Sequence, residues 1–508
     1  MPTVNKIDSN ITGLSFAEEQ TLGTLPGAPV WHAIEPNSYS DLGGDISTVA
    51  RSPINASRQR QKGTTTDLDA AVGFNHDWLQ NGLLRLTQGF FFAAAREKAD
   101  TKKLSGNPVA VTSTTATTYV AAAGFTFKAN DIVLASGFGD AANNGLKVLS
   151  AATGTTLTTT GNAIEAAPPA AARIQCVGVE FDADDVDVTL TGTTGVNLVS
   201  TVYDFTTLGL TAGEWVYLGG DDAGNSFVNN GGYARVASAP TAHLMTFDDT
   251  TWTPQAESGA GASIRLFFGT VLRNEKDPTL IVTKSVQFER TLGSDGLDPD
   301  AQSEYVIGSV GNELTLNVPQ ADKLNVDLTF VGINVEHRTS TEGVKAGTRV
   351  VAQAEDAFNT SSDIYRVRMN IVDPTTINNA ALFGYVQEGN ITISNGVTPN
   401  KALGVLGAFD LSAGDFTVGG SVTAYFTTVS AVAAIRNNSD IGFNVICAKQ
   451  NAGFVFDAPL MSIGGGRLNV EKDAPILIPL ENSAFENANG YTLLYTTFAY
   501  LPDAAMPD

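Results

Sequence analysis

The side chains of this 508-residue chain that could do chemistry are mostly carboxylates: 53 Asp and Glu stand beside 30 Lys and Arg, 4 His and 2 Cys. His32, His76, His243 and His337 are far apart, and none has a His, Cys or carboxylate at metal-ligand spacing, so no zinc centre is expected. Neither a Gly-x-Ser-x-Gly elbow nor a phosphate-cradling Gly-Lys-Ser/Thr loop occurs. Gly464-Gly465-Gly466-Arg467 follows no strand–helix unit and reads as a turn. Asp182-Ala183-Asp184-Asp185-Val186-Asp187 has the charge of a calcium loop, but lacks the sixth-position Gly and the distal Glu of an EF-hand. It reads as a solvated junction, and Asp221-Asp222 reads the same way. Trp215 and Tyr217 share one face of an alternating segment, and could form an aromatic sugar platform or belong to a core. No nucleophile, base and oxyanion donor converge, so an enzyme, a metal and a cofactor are not expected.

The remaining carboxylates sit in alternating segments. Glu313, Thr315 and Asn317 alternate with Leu314 and Leu316, while Asn325, Asp327 and Thr329 alternate with Val326 and Leu328. Asn390, Thr392 and Ser394 bracket Ile391 and Ile393, and Asp415, Thr417, Ser421 and Thr423 lie opposite Phe416, Val418, Val422 and Ala424. A period of two means strands with one buried face and one wet face. The wet faces carry small polar or acidic groups, with a single lysine at Lys323.

The elements that position these strands follow from composition and repeats. The chain is 43% hydrophobic and 16% charged, with net charge −23 and pI about 4.5, so it is globular, β-rich and long enough for several domains. That charge argues against holding nucleic acid by counterion release, but not against a surface past which nucleic acid moves without sticking. Cys176 and Cys447 lie in apolar runs and read as buried hydrophobes without a disulfide. No run reaches membrane-span length, and Met1–Lys6 opens no apolar leader, so a soluble chain folded in a cytoplasm is expected.

Two copies of one β-module are legible in the middle of the chain. Residues 130–137, 143–150 and 173–178 echo residues 213–220, 229–238 and 263–269, each copy with an Asn-Asn-Gly turn before its second strand. The expected organisation is a discontinuous core of residues 1–104 and 271–508, with inserted modules at 105–186 and 187–270. Short helices are expected over 78–86, capped by Asp77, and over 429–436. C-terminal strands are expected at 443–447, 465–470, 476–480 and 491–500. Pro36–Gly63, long and without apolar periodicity, reads as an extended arm.

Three stretches carry a resemblance. They are the segment around Glu18-Glu19, Gly23-Thr24, Pro26 and Trp31; Tyr305–Gly332 with its Leu-Thr-Leu and Leu-Thr-Phe; and the pattern from Phe443 to Tyr500. Together they resemble the major tail tube proteins of long, non-contractile-tailed bacteriophages. The resemblance implies a mainly β fold: a β-barrel or sandwich core with one or two short helices, plus two small inserted β-barrel or sandwich modules. It implies six-membered rings stacked into a tube, built in the host cytoplasm and carried in the virion tail. The implied partners are other copies of the chain, the tape measure, terminator and distal tail proteins, and double-stranded DNA in passage. Glu313, Thr315, Asn317, Asp327, Thr329, Asn390, Thr392, Asp415, Thr417 and Thr423 would then line the lumen. The modules would face outward, as reinforcement or as a contact to host-surface glycans. The rival readings are a carbohydrate-binding adhesin and a tube or terminator subunit of another phage-like machine.

Overall fold

A computed structural model describes residues 12–54, 56, 59, 61–80, 82–96, 108–122, 127–192, 195–293, 302–339, 343–352, 354–373 and 376–507. The expected boundary at 104/105 and the segment Met1–Lys6 lie outside these residues. The described chain is mainly β, with α-helices at Leu84–Phe91 and Ser430–Arg436. It forms two compact units: residues 1–93, 277–360 and 387–422 in one, and 94–276, 361–386 and 423–508 in the other.

The spine of the first unit is the strand Gln302–Val318. Its first half pairs with Ser285–Gly293 on one side and Asn334–Arg338 on the other. A bulge at Gly311/Glu313 redirects it, and its second half pairs with Asn325–Gly332 and Val386–Ser394. Asn325–Gly332 pairs in turn with Gln61–Asp77, which pairs with Ser38–Arg51. Gly13–Glu18 joins Ser285–Gly293 to Val30–Ile34. The inward residues meet in an aromatic cluster in which Phe330 lies 4.8 Å from Phe288, 5.0 Å from Phe90 and 6.3 Å from Phe74.

Two local expectations are corrected in this unit. The first helix starts at Leu84 rather than at Trp78, and its N-cap residue Leu83 makes no side-chain cap. Asp77 instead ends the strand, because Asn37 and Lys323 engage its carboxylate and the Trp78 N–H donates to the Leu324 carbonyl at 2.9 Å. Within the stretch expected as an extended arm, Ser38–Arg51 is one strand of a long hairpin. Its sequence hides this, since three bulges break the side-chain alternation.

In the second unit the repeat becomes a symmetric sheet. Asp131–Ser136 pairs with Gly145–Val148 and Arg173–Glu180, while Trp215–Leu218 pairs with Gly232–Val236 and Arg265–Phe268. The third strands of the two copies pair with each other through Gly178↔Phe267, Val179↔Leu266 and Glu180↔Arg265. Each copy buries an asparagine at its turn. The Asn143 amide donates to Glu165 at 3.0 Å and the Asn230 amide to Glu257 at 2.6 Å. Gly232 is required where it stands: its φ is +131°, and a Cβ there would lie 2.4 Å from Thr251 Oγ1.

Trp215 and Tyr217 are both buried, packed with Tyr233 and Phe267 against Ile446, Val455, Leu494 and Phe498 of the same unit. That removes the exposed sugar platform. The C-terminal sheet contains Ile364–Ile371, Ile441–Lys449, Ala452–Gly465, Leu494–Phe498 and Thr270–Arg273 in successive pairing. The strand Ala452–Gly465 is absent from the sequence reading because both its faces are buried along Ala452–Ala458, which erases alternation. The expected strand 465–470 is replaced by the end of this one and a turn in which Gly465 and Gly466 have φ of +76° and +74°. Cys176 and Cys447 are buried thiols, not joined in a disulfide, and burial pushes the Cys447 thiol well up.

Candidate functional site

The polar residues of the alternating strands form one face in the first unit. Cross-strand register sets them in rows. One row is Asn390, Asn317, Asn325 and Asp77; the next is Thr392, Thr315, Asp327, Asn75 and Ser38; the third is Ser394, Glu313, Thr329 and Gly73. Beneath them Leu314, Leu316, Val326, Leu328, Ile391, Ile393, Val72 and Phe74 are buried. A slip of one residue in any strand would exchange these two faces, so the apolar side fixes the register of the polar one.

Hydrogen bonds tie the face laterally. Asn75 Nδ2 donates to Asp327 Oδ1 at 2.8 Å and to Asn325 Oδ1 at 3.1 Å. From the opposite strand, Asn317 Nδ2 donates to Asp327 Oδ2 at 2.8 Å and to Asn325 Oδ1 at 3.0 Å. The Thr315 and Thr392 hydroxyls meet at 3.1 Å. At the edge, Asp77 accepts from Asn37 at 2.6 Å and from Lys323 at 2.7 Å. Burial pushes Asp77 up, but these two donors outweigh it and hold the carboxyl below its ordinary range. Farther along the strand, Lys401 Nζ reaches Asp67 at 2.5 Å and Asp69 at 2.6 Å. Its hydrogen bond keeps Asp67 low, and the two carboxylates raise Lys401.

Seven of the ten expected residues thus fall in three adjacent rows: Glu313, Thr315, Asn317, Asp327, Thr329, Asn390 and Thr392. Thr417 lies beside them, its hydroxyl donating to the Ser394 carbonyl at 3.3 Å. Asp415 is exposed in the loop before Thr417–Tyr425, outside the strand rows. Thr423 is part of the second unit. Asn37, Asn75 and Asp77 belong to the face and were missed. Their signal was present, since Asp67, Asp69, Gly73, Asn75 and Asp77 alternate with Leu68, Ala70, Val72 and Phe74.

The Asp182–Asp187 segment is explained structurally. Asp185 is buried, and its carboxylate accepts from Ser200 Oγ at 2.8 Å and from the backbone N–H groups of Thr201 and Val202 at 3.1 and 2.9 Å. Among the described residues, no group of three or more His, Cys, Asp or Glu could hold a metal ion.

The face presents carboxylates, amides and small hydroxyls that are largely bonded to one another. Residues 238–484 match the family model for phage tail tube protein, a stretch that includes three strands of the polar face, 302–318, 325–332 and 386–394. No curated protein matches the chain. The match, on a mainly β chain, supports a structural protein of a phage tail tube family, a component of the virion tail.

Proposed function

We propose that the chain is the repeating subunit of the tail tube of a long, non-contractile-tailed phage. In this reading six copies close into a ring, rings stack, and the polar face lines a lumen that conducts double-stranded DNA during ejection. The observation that carries it is the five-strand face itself, apolar on one side and acidic to small-polar on the other. Closing such strands into a shared barrel removes their exposed edges. A negative wall repels phosphate, whereas rows of arginine would retain it.

The hairpin Ser38–Arg51/Gln61–Asp77 serves as the arm to the next ring. Beyond the Asp67 and Asp69 carboxylates held by Lys401, its distal part is paired, among the described residues, only between its own two strands, since pairing of Gln61–Asp77 with Asn325–Gly332 stops at Ala70. Isolated two-stranded ribbons are marginal in water, and Ile46 and Val49 are 61% and 59% exposed there. Both features favour a role completed by another copy. Residues 105–270 remain an insertion in this proposal, supported by the Arg96 N–H donating to the Val271 carbonyl at 2.9 Å. The chain therefore leaves and returns at neighbouring points. Tape measure, terminator and distal tail proteins would be the remaining contacts.

Electron microscopy of the purified protein tests the assembly: sixfold rings or tubes are expected, and dispersed monomers at high concentration would overturn it. For the lining, replacing Glu313, Asp327 and Asp415 together by Lys should leave tubes intact and cut infectivity at least tenfold through failed ejection. Unchanged infectivity would remove these residues from the lumen.

A further inference from the structure

Resting on the reading of this face as a lumen wall, we propose that Asp327 and Asp77 act as donor locks. They keep DNA from sticking by occupying the N–H groups of their neighbours, over and above their negative charge. Phosphate and sugar contacts in DNA-binding proteins are made largely by Arg, Lys, Asn, Gln and hydroxyl donors. This face contains such donors, and the named ones are turned sideways. An asparagine amide has two N–H donors. Those of Asn75 and Asn317 are directed at Asp327 and Asn325 from strands on either side, at 2.8–3.1 Å. Asn37 and Lys323 are drawn onto Asp77 at 2.6 and 2.7 Å. The threonine hydroxyls follow the same rule, with Thr315 and Thr392 joined to each other and Thr329 directed to the Glu313 carbonyl at 3.5 Å. A phosphate could recruit the N–H groups held by Asp327 and Asp77 only by breaking charge-assisted bonds, which are stronger than the neutral ones that hold the threonines.

Glu313 provides the internal control. It is exposed on the same face, directly opposite Thr329 and Ser394, and carries the same charge as Asp327. Asp327→Ala and Glu313→Ala each remove one negative charge, but only the first releases an N–H of Asn75 and one of Asn317, the bonds of both to Asn325 remaining. If repulsion alone keeps DNA off, the two variants behave alike.

The test is retention of a short duplex DNA by immobilised full-length protein across a salt series, with thermal melts to confirm folding. Asp327→Ala is expected to bind the duplex at least fivefold more tightly than Glu313→Ala. Adding Asn75→Ala and Asn317→Ala to Asp327→Ala should return binding to the Glu313→Ala level. Equal binding by the two single variants, or a gain that survives loss of both asparagines, would overturn the proposal. If Asp327→Ala does not fold, Asp77→Ala takes its place. It frees Lys323, and its log–log salt slope should steepen by about 0.9; an unchanged slope would count against the lock. Tube formation is read separately by microscopy. Loss of tubes with the Asp327 effect intact refutes the lumen reading, whereas normal tubes with no Asp327 effect refutes the lock alone.

Discussion

At the scale of single residues, the first unit is held by polar groups whose protonation matters. His32 packs beside Phe16, with ring centroids 5.3 Å apart. Burial, reinforced by Arg85 and opposed by Glu18, lowers its pKa below the ordinary value near 6.5. Between that lowered value and 6.5 the unfolded chain binds the extra proton, so stability rises with pH. The histidine's contribution is therefore complete above about pH 6.5 and is lost as pH falls toward the folded-state value. The urea midpoint of wild-type protein should drop more between pH 7.5 and 5.5 than that of His32→Gln; parallel drops would show that other groups set the dependence. Glu289 is a different case. It is fully buried, yet bidentate pairing with Arg349 at 2.6 and 2.8 Å and the Tyr305 hydroxyl satisfy its oxygens. Burial and that same carboxylate push the Tyr305 phenol well up, so it remains a donor at any physiological pH.

At the scale of elements, the hairpin and the polar sheet obey different rules. The sheet has a core under it, so register, burial and side-chain direction are mutually enforced. The distal hairpin lacks such support, and its apolar residues contribute little to the isolated fold. Replacing Ile46 and Val49 by Ser should shift stability by no more than about 0.5 kcal/mol, as usual for surface positions. The same change should prevent or shorten tubes in negative-stain images. Tubes of normal length from the double variant would exclude the hairpin as the stacking arm. The paired modules show a third behaviour. Each copy ties its own turn with a buried Asn–Glu bond, and the copies merge through their third strands into one sheet with a continuous core.

At the scale of the molecule, the balance of 53 acidic against 30 basic residues makes copies of this chain repel. Such repulsion is screened over about 10 Å at 0.1 M salt and about 30 Å at 0.01 M. Tube growth followed by light scattering should accordingly speed up as salt rises from about 0.01 to 0.15 M. Slower growth at the higher salt would mean that opposite charges drive assembly. Buried ion pairs within the second unit are insulated from this effect. Asp249 accepts from Arg366 at 3.2 Å and from Arg368 at 2.9 Å, joining strand Leu244–Thr250 of the second module to strand Ile364–Ile371. Burial raises Asp457 despite the opposing pull of Arg235.

By itself the sequence determined the β class, the repeat, the buried thiols and seven residues of the polar face, because each is written in local periodicity. Alternation assigns a side chain to a face before any partner strand is known. It failed where that local code is broken or saturated: Ser38–Arg51 is bulged, Ala452–Ala458 is buried on both sides, and Asp77 looks like a helix cap until Lys323 is beside it. Which strands share the face, and which donor meets which carboxylate, was decided only in three dimensions. Asn75 and Asp327 are 252 residues apart, and no local pattern encodes a contact at that separation. The contact follows from burying Phe74 and Leu328 on the reverse of the same two strands, which is a property of the core and not of either segment alone.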